Sequence, residues 1–280
     1  MKKISRRSFL AAAGLTVAAL ALTACGGSAS TASSAAASSV AASSEAASTS
    51  AAAGELTTVE AGKLTMATNA TFPPYEMTTD AGDIEGIDVE TAQAIADKLG
   101  LELQIDDMDF DAALLSVQQG KADIVMAGVT VTDERKAVMD FSDSYATGIQ
   151  SIIVPEGSDI TSPDDLAGKK IGTQRGTTGY IYCSDDFGDD AVVAYDDGLT
   201  AVQALNNGQV DAVVIDNAPA KEFVAANPGL VILDTSYAEE DYAIGLAKGS
   251  ALEDAVNAAL EELKADGTLQ SIVDKYITAE

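Results

Sequence analysis

The stretch GIDVETAQAIADKLGLELQI, residues 86–105, contains a helix signal followed directly by a strand signal. Its apolar residues recur at three- and four-residue spacing, which predicts an amphipathic helix. They are Val89, Ala92, Ile95, Ala96 and Leu99. Asp88 is expected to cap the start of this helix, and Gly100 to end it. The strand candidate at 101–105 follows at once, and this close alternation is typical of an α/β protein with helices packed on a sheet.

The same alternation continues through the rest of the chain. Further strand candidates lie at 64–68, 123–127, 151–154, 170–173, 192–195, 212–216, 230–233 and 242–247. A second helix is expected at about 112–119 behind Asp111, and a third begins at Thr200 and ends near Gly208. Two more apolar stripes, at 252–263 and 269–276, predict two helices near the C-terminus. This order predicts parallel sheets covered by helices on both faces.

The pattern of strands and helices restarts once, which predicts two lobes. Strand–helix units occupy roughly 64–147 and again 148–240, and a strand and two helices are left over. We expect this surplus to return to the first lobe. Lobe 1 then comprises residues 59–147 plus 242–280, and lobe 2 comprises residues 148–241. Two strands would cross between the lobes, a hinge suited to closure over a ligand.

Residues 1–24 resemble a signal peptide and are excluded from the fold. Lys2, Lys3, Arg6 and Arg7 precede an apolar stretch that ends in Leu22-Thr23-Ala24-Cys25, a lipobox pattern that predicts a lipid on Cys25. The arginine pair leaves export by the general or the twin-arginine route open. Residues 25–58 are almost only Ala, Ser, Thr and Gly after the cysteine, and such a sequence is expected to form a disordered tether.

Composition excludes several functions. The formal charge of −28 argues against nucleic acid as a partner. The chain contains no histidine, which excludes His-based catalytic triads and most zinc sites. Cys183 is the only cysteine besides Cys25 and is interpreted as a packing residue. The acidic run 107–111 lacks the glycine of a calcium loop, because Ala112 stands in its place. We therefore expect no metal and no cofactor.

Six stretches together resemble one known family. They are residues 67–76, 86–90, 108–110, 127–135 with 140–142, 176–179 and 211–216. From Leu64 onward the chain is similar to the family 3 solute-binding proteins of polar amino acid ABC importers, with Thr91 as a small departure. The resemblance implies a two-lobed, periplasmic-binding-protein-like α/β fold of type II. In that fold each lobe is a mostly parallel sheet flanked by helices, and two strands form the hinge.

The resemblance also implies the residues that hold the backbone of an amino acid. Arg135 would bind the α-carboxylate through its planar guanidinium, although it could instead pair with its neighbouring acids on the same turn. Asp216, at the end of an apolar strand, would bind the α-ammonium, or else cap the next helix. Gly128 and Thr130 would contribute from lobe 1, and Thr178 from lobe 2.

The ligand's side chain would lie against Phe72 and Phe110, whereas Tyr75 reads as structural. Selectivity would depend on Asn69, Gln174 and Ile215. Because Asn69 is neutral, the sequence favours a polar uncharged amino acid, with lysine and arginine left open.

The function implied is the substrate-binding component of an amino acid ABC importer. The protein would be a monomer outside the cytoplasm, held to the membrane by the lipid on Cys25, and would deliver a free amino acid to the permease subunits. One alternative is an exported enzyme on the same scaffold, similar to prephenate or arogenate dehydratase, with Glu76 or Asp109 as its acid or base. Another is a sensory ligand module.

Overall fold

The computed structural model describes residues 56–277, and the predicted signal peptide, lipobox and most of the tether lie outside the described residues. The strands are β1 Lys63–Thr68, β2 Thr71–Phe72, β3 Glu76–Thr78, β4 Ile84–Glu85, β5 Glu102–Asp107, β6 Ile124–Val125, β7 Met139–Phe141, β8 Ala146–Pro155, β9 Ile171–Gln174, β10 Val192–Tyr195, β11 Ala212–Asp216, β12 Leu230–Ile232, β13 Ala238–Tyr242 and β14 Gly245–Ala247. The α-helices are α1 Ile87–Leu99, α2 Phe110–Gln118, α3 Asp133–Lys136, α4 Thr178–Phe187, α5 Gly198–Asn206, α6 Asn217–Ala226, α7 Glu253–Ala265 and α8 Thr268–Tyr276. Within this part of the chain, none of the helices is both long and apolar enough to cross a membrane.

Helix α1 ends as predicted but begins earlier. Gly100 follows it in the left-handed conformation, whereas Asp88 lies inside the first turn and Gly86 precedes the helix, so the predicted cap at Asp88 is wrong. Gly86 has φ 138°, and a Cβ there would stand 2.1 Å from the carbonyl oxygen of Tyr75. Only glycine allows the backbone at position 86 to lie so close to Tyr75. Because the helix starts there, Asp88 in its first turn is buried.

The predicted caps of two other helices are wrong by two or three residues. Helix α2 begins at Phe110, whose ring is buried, with Asp109 rather than Asp111 before it. Helix α5 begins at Gly198, and the Asp197 side chain accepts the Thr200 N–H at 2.7 Å. Thr200 therefore lies at the third position of the helix, because an acid was available upstream to satisfy its free N–H.

The first sheet has the order β5-β1-β6-β14-β7. Strand β1 runs parallel to β5 and β6, whereas β14 runs antiparallel to β6 and β7. Leu64 and Met66 face one apolar cluster, shared with α1, α7 and α8, and Ala67 faces another, shared with α2. Helices thus cover both faces of this sheet, which includes β14 and packs against α7 and α8.

The second sheet has the order β10-β9-β11-β8-β12, with β13 paired to β8. Strand β9 runs parallel to β10 and β11, and β8 runs antiparallel to β11, β12 and β13. Residues of α5 pack on one face, and Cys183 of α4 is fully buried on the other. Burial raises the pKa of the Cys183 thiol to about 12, which fits a packing residue.

The chain crosses between the two sheets twice. It leaves the first sheet between β7 and β8, and it returns between β13 and β14. Strands β8 and β13 pair with each other antiparallel, from Ala146 opposite Tyr242 to Gln150 opposite Ala238. These two strands form the connection between the lobes. The residue boundaries of the two lobes remain a prediction.

Gly148 of β8 contacts the ring of Tyr242. A Cβ at Gly148 would stand 2.4 Å from that ring, which is fully buried. We expect Gly148→Ala to destabilise the fold by about 1–3 kcal/mol through overpacking, and to lower the Tm by several degrees. Thr147→Ala, at the exposed neighbour in the same strand, is the matched control. Thermal unfolding by circular dichroism measures both, and a Gly148→Ala variant as stable as the control would contradict the prediction.

Candidate functional site

A cavity lies between the two lobes, and all ten residues predicted to bind ligand line it. They are Asn69, Phe72, Phe110, Gly128, Thr130, Arg135, Gln174, Thr178, Ile215 and Asp216. Glu76, Ala127, Gln150, Thr177 and Val214 complete the lining. The cavity volume is about 20 Å³. Since that space suits a single water, an amino acid could enter only if the lobes move apart.

Arg135 is positioned by the short helix α3 and points into the cavity. The Thr132 hydroxyl caps the helix by accepting the Arg135 N–H at 3.2 Å. The guanidinium is buried, donates to the Thr130 carbonyl at 2.7 Å and to the Gly176 carbonyl of the other lobe at 3.1 Å, and lies over the Phe110 ring. Burial lowers its pKa and the charge of Glu240 opposes this, but a guanidinium remains charged. The cavity therefore contains a fixed positive charge.

Asp216 ends β11 and faces the same cavity from the second lobe. Its side chain makes no capping bond to α6. Tyr242 donates to one carboxylate oxygen, and Gln150 donates to the other at 2.8 Å. Burial raises the pKa of Asp216 to about 7, the nearby Glu240 adds to the rise, and the two donors oppose it. The Asp216 carboxylate is therefore oriented by two neutral donors, and within residues 56–277 no cationic side chain forms a salt bridge with it.

Glu240 of the hinge strand β13 contacts residues that line the cavity and was not predicted. One of its oxygens accepts from Thr130 at 3.1 Å, from Thr178 at 3.0 Å and from Gln150 at 3.0 Å. These donors come from the first lobe, the second lobe and the hinge. Glu240 and Gln150 meet only because β8 and β13 pair in register, so no local sequence signal could have found them.

Aromatic and amide side chains line the remaining walls. Gly128, at φ 56°, would place a Cβ 2.8 Å from the Phe72 ring, so only glycine allows this close approach. The Gln174 amide crosses from the second lobe and donates to the Asn69 oxygen at 2.8 Å. Both amides are buried. Two of the three predicted selectivity residues, Asn69 and Gln174, thus contact each other directly.

Glu76 of β3 is a lining residue that the sequence did not assign to ligand binding. Its side chain is fully buried, and neither carboxyl oxygen has a hydrogen-bond donor within the described residues. Burial raises its pKa well above the usual range for glutamate, and the neighbouring Asp88 adds to that rise. Glu76 lies in residues 67–76, one of the stretches that carry the family resemblance, and no other feature of the sequence pointed to it.

Two acids of the run 107–111 have structural positions. One Asp107 oxygen accepts the Ala70 N–H at 2.8 Å, and Asp109 precedes α2. Across residues 56–277, no group of three or more His, Cys, Asp or Glu side chains is arranged to hold a metal ion.

The fold and the site define a two-lobed receptor that binds a small solute in the cleft of a type II periplasmic-binding-protein-like fold. Residues 64–279 match the bacterial extracellular solute-binding proteins, family 3, and the chain belongs to that family.

Three relatives illustrate the similarity. The chain is 34% identical over 226 residues to the L-cystine-binding protein TcyJ of Escherichia coli strain K12, which covers 79% of this chain and 85% of the relative. The structure of this chain is similar to that of the arginine-, lysine-, histidine-binding protein ArtJ from Geobacillus stearothermophilus, with a TM-score of 0.75 and 34% identity. The match covers 78% of this chain and 96% of ArtJ. An ancestral arginine-binding protein bound to arginine has a TM-score of 0.73 and 43% identity, with 77% and 98% covered.

Proposed function

We propose that this protein binds a free L-amino acid in the cleft and delivers it to the permease of an ABC importer. One observation carries the proposal: a buried guanidinium, Arg135, and a buried carboxylate, Asp216, face the same cavity from different lobes. An α-amino acid is a small solute that presents a carboxylate and an ammonium together. Binding both groups would draw the lobes together, because each charge is held by a different lobe.

The backbone contacts follow from this placement. Arg135 would bind the α-carboxylate as a planar fork, and the N-terminus of α4 at Thr178 would add N–H donors of the second lobe. Asp216 would bind the α-ammonium. Thr130 commits its hydroxyl hydrogen to Glu240, so its oxygen is left as an acceptor that suits the ammonium. Gly128 offers its backbone carbonyl beside Thr130.

The side-chain end of the cavity supports a long ligand with N–H donors. Phe72 and Phe110 supply apolar walls, and no hydrogen-bond donor from residues 56–277 reaches the Glu76 carboxyl. The neutral Asn69 favours an uncharged ligand when considered alone, but Glu76 adds an acid that changes this expectation. Arginine, whose guanidinium carries five N–H donors, is therefore our first candidate. Relatives named for arginine binding support the same choice.

A thermal-shift screen of residues 56–280 against arginine, lysine, histidine, glutamine and cystine tests the function. We expect arginine to raise the Tm most, by roughly 10 °C at about 1,000 times its Kd, because only the native state binds. If glutamine alone raised the Tm, Asn69 and Gln174 would be the residues that select the ligand, and Glu76 would not. No shift with any amino acid would refute the receptor function.

A catalytic role on the same scaffold is the weaker candidate. Glu76 is a buried acid of raised pKa, a feature that enzymes also use, but the relatives reported above are named as binding proteins. Incubation with prephenate and arogenate, followed by product analysis, decides between the two functions.

The family is extracellular, which fits export of this chain. We further propose that the protein acts as a monomer, anchored to the outer face of the cell membrane by a lipid on Cys25. Mass spectrometry of the protein purified from cells checks whether Cys25 is lipidated and N-terminal, and light scattering checks the oligomeric state.

A further inference from the structure

Two carboxyl side chains lie side by side at one end of the cleft. Glu76 lines the cavity, and Asp88 lies behind it in the first turn of α1. Both side chains are fully buried, and the Asp88 N–H donates to the carbonyl of Tyr75, the residue before Glu76, at 2.9 Å. Each carboxyl group affects the pKa of the other. The glycine at position 86 brings them together, because it lets α1 start against the backbone of Tyr75.

The donors available to this pair are too few for two carboxylates. One Asp88 oxygen accepts the Gly128 N–H at 3.0 Å and the Tyr145 hydroxyl at 2.8 Å. The other Asp88 oxygen and both Glu76 oxygens have no donor among the described residues. Carboxylates only accept hydrogen bonds, so two charged groups would leave three buried acceptors unsatisfied and repel each other. A single proton on one carboxyl supplies the missing donor and removes the repulsion.

The surroundings assign this proton to Glu76. Asp88 is stabilised as a carboxylate by its two donors and by the N-terminus of α1. Even so, burial raises the pKa of Asp88 to about 6. No donor from residues 56–277 reaches Glu76, and besides Asp88 the charged groups that raise its pKa are the carboxylates of Asp216 and Asp107. The tyrosines at positions 75 and 145 also face the pair, and burial raises the pKa of each, so both stay neutral.

We propose that Glu76 and Asp88 form a carboxylic acid–carboxylate pair with one shared proton, and that this pair is the subsite for the cationic end of the ligand's side chain. This inference rests on the proposed amino-acid-binding function. The pair carries one negative charge behind the aromatic walls of the cleft. A guanidinium brings its own N–H donors to Glu76, so the Glu76 carboxyl no longer needs its proton to satisfy its oxygens. The O–H bond breaks, the proton passes to water, and the carboxylate remains paired with the cation.

The first test uses the protein without ligand. A carboxyl whose folded pKa exceeds its unfolded value binds more protons in the folded state, so stability falls as the pH rises above the unfolded pKa. Glu76→Gln mimics the protonated acid, and its amide can donate to Asp88. We expect the variant to have a higher Tm than the wild-type protein at pH 8–9 and a flatter dependence on pH between 5 and 9. Glu85→Gln, at an exposed position nearby, should keep the wild-type slope.

A Glu76→Gln variant with the wild-type slope, or with a lower Tm at every pH, would overturn the proposal. If this variant does not fold, infrared spectroscopy of the wild-type protein decides. At pH 8.5 the spectrum should contain the C=O band of a buried carboxylic acid. Asp216 is mostly ionised at that pH, so the band would come from Glu76 and not from Asp216. A spectrum without that band would also refute the shared proton.

The second test compares arginine with citrulline, its neutral isostere, by calorimetry in buffers of different ionisation enthalpy. Any proton that Asp216 releases on pairing with the α-ammonium is common to both ligands. We expect arginine to release more, up to about one further proton, and this excess to disappear in Glu76→Gln. Equal release by both ligands would refute the subsite, whereas failure of every amino acid to bind would refute the proposed function instead.

Discussion

Replacing Arg135 by alanine is expected to weaken amino-acid binding by roughly two to three orders of magnitude. The guanidinium is buried, it is held by the carbonyls of Thr130 and Gly176, and it lies on Phe110. Its removal would leave the ligand's carboxylate in a closed, dry cleft without its counter-charge. Calorimetric titration with the best ligand of the screen measures the loss.

Two matched variants separate charge from geometry. Arg135→Lys retains the positive charge but not the planar fork, and we expect an intermediate loss. Arg175→Ala removes the only other arginine within residues 56–277, which follows β9, is exposed and pairs with Asp196 at 3.5 Å, so binding should be unchanged. If Arg135→Ala binds as tightly as Arg175→Ala, the ligand's carboxylate is held elsewhere.

Replacing Asp216 by asparagine is expected to weaken binding on the order of 100-fold while leaving the fold intact. Asparagine keeps the shape and can still accept from Gln150, but it offers the α-ammonium no charge. Calorimetry measures the affinity. Asp190→Asn, at an exposed position in the short 3-10 helix Asp189–Ala191, is the control and should bind normally.

Although Asp216→Asn should weaken binding, we expect it to stabilise the ligand-free protein. The folded pKa of Asp216, about 7, exceeds the unfolded value, so the buried carboxylate destabilises the ligand-free protein progressively as the pH rises through that range. Asp216→Asn removes this cost, and we expect its Tm without ligand to exceed that of the wild-type protein at pH 8. A lower Tm combined with lost binding would indicate general damage and would contradict the assigned role.

Affinity of the wild-type protein should also depend on pH through Asp216. Below pH 7 its carboxyl gains a proton and can no longer pair with the ammonium, so binding should weaken as the pH falls. The asparagine variant should lack this contribution. Titrations at pH 5.5 and 8 compare the two proteins, and an unchanged wild-type affinity would exclude Asp216 as the ammonium partner.

Most secondary-structure elements were predictable because they depend on local periodicity. The strands Val192–Tyr195 and Ala212–Asp216 have the predicted bounds, and the helix ended by Gly100 has the predicted end. The short strands β2, β3 and β4 were not predicted, since two or three residues carry no periodic pattern. The predicted strand at 242–247 is wrong as a single element. It covers only the last residue of β13 and all of β14, which belong to different sheets because the chain passes between the lobes there.

The site was predictable to the extent that it follows short motifs. All ten candidate residues line one cavity, and their roles in binding are still predictions. Glu76, Gln150 and Glu240 could not be assigned, because nothing in their neighbouring residues distinguishes a buried acid or amide from an exposed one. Their positions depend on pairings between strands and helices that are distant along the chain.

The sequence by itself determined the family, the alternation of strands and helices, and the opposite charges of Arg135 and Asp216 at the cleft. These properties depend on residue type and local spacing, which the order of residues contains directly. Only the tertiary structure decided which carboxyls share a buried space and which donors reach them. Glu76 meets Asp88, and Gln150 meets Glu240, through packing that excludes water. The charge state of a carboxyl depends on that exclusion and on the donors around it, and neither can be derived from the neighbouring sequence alone.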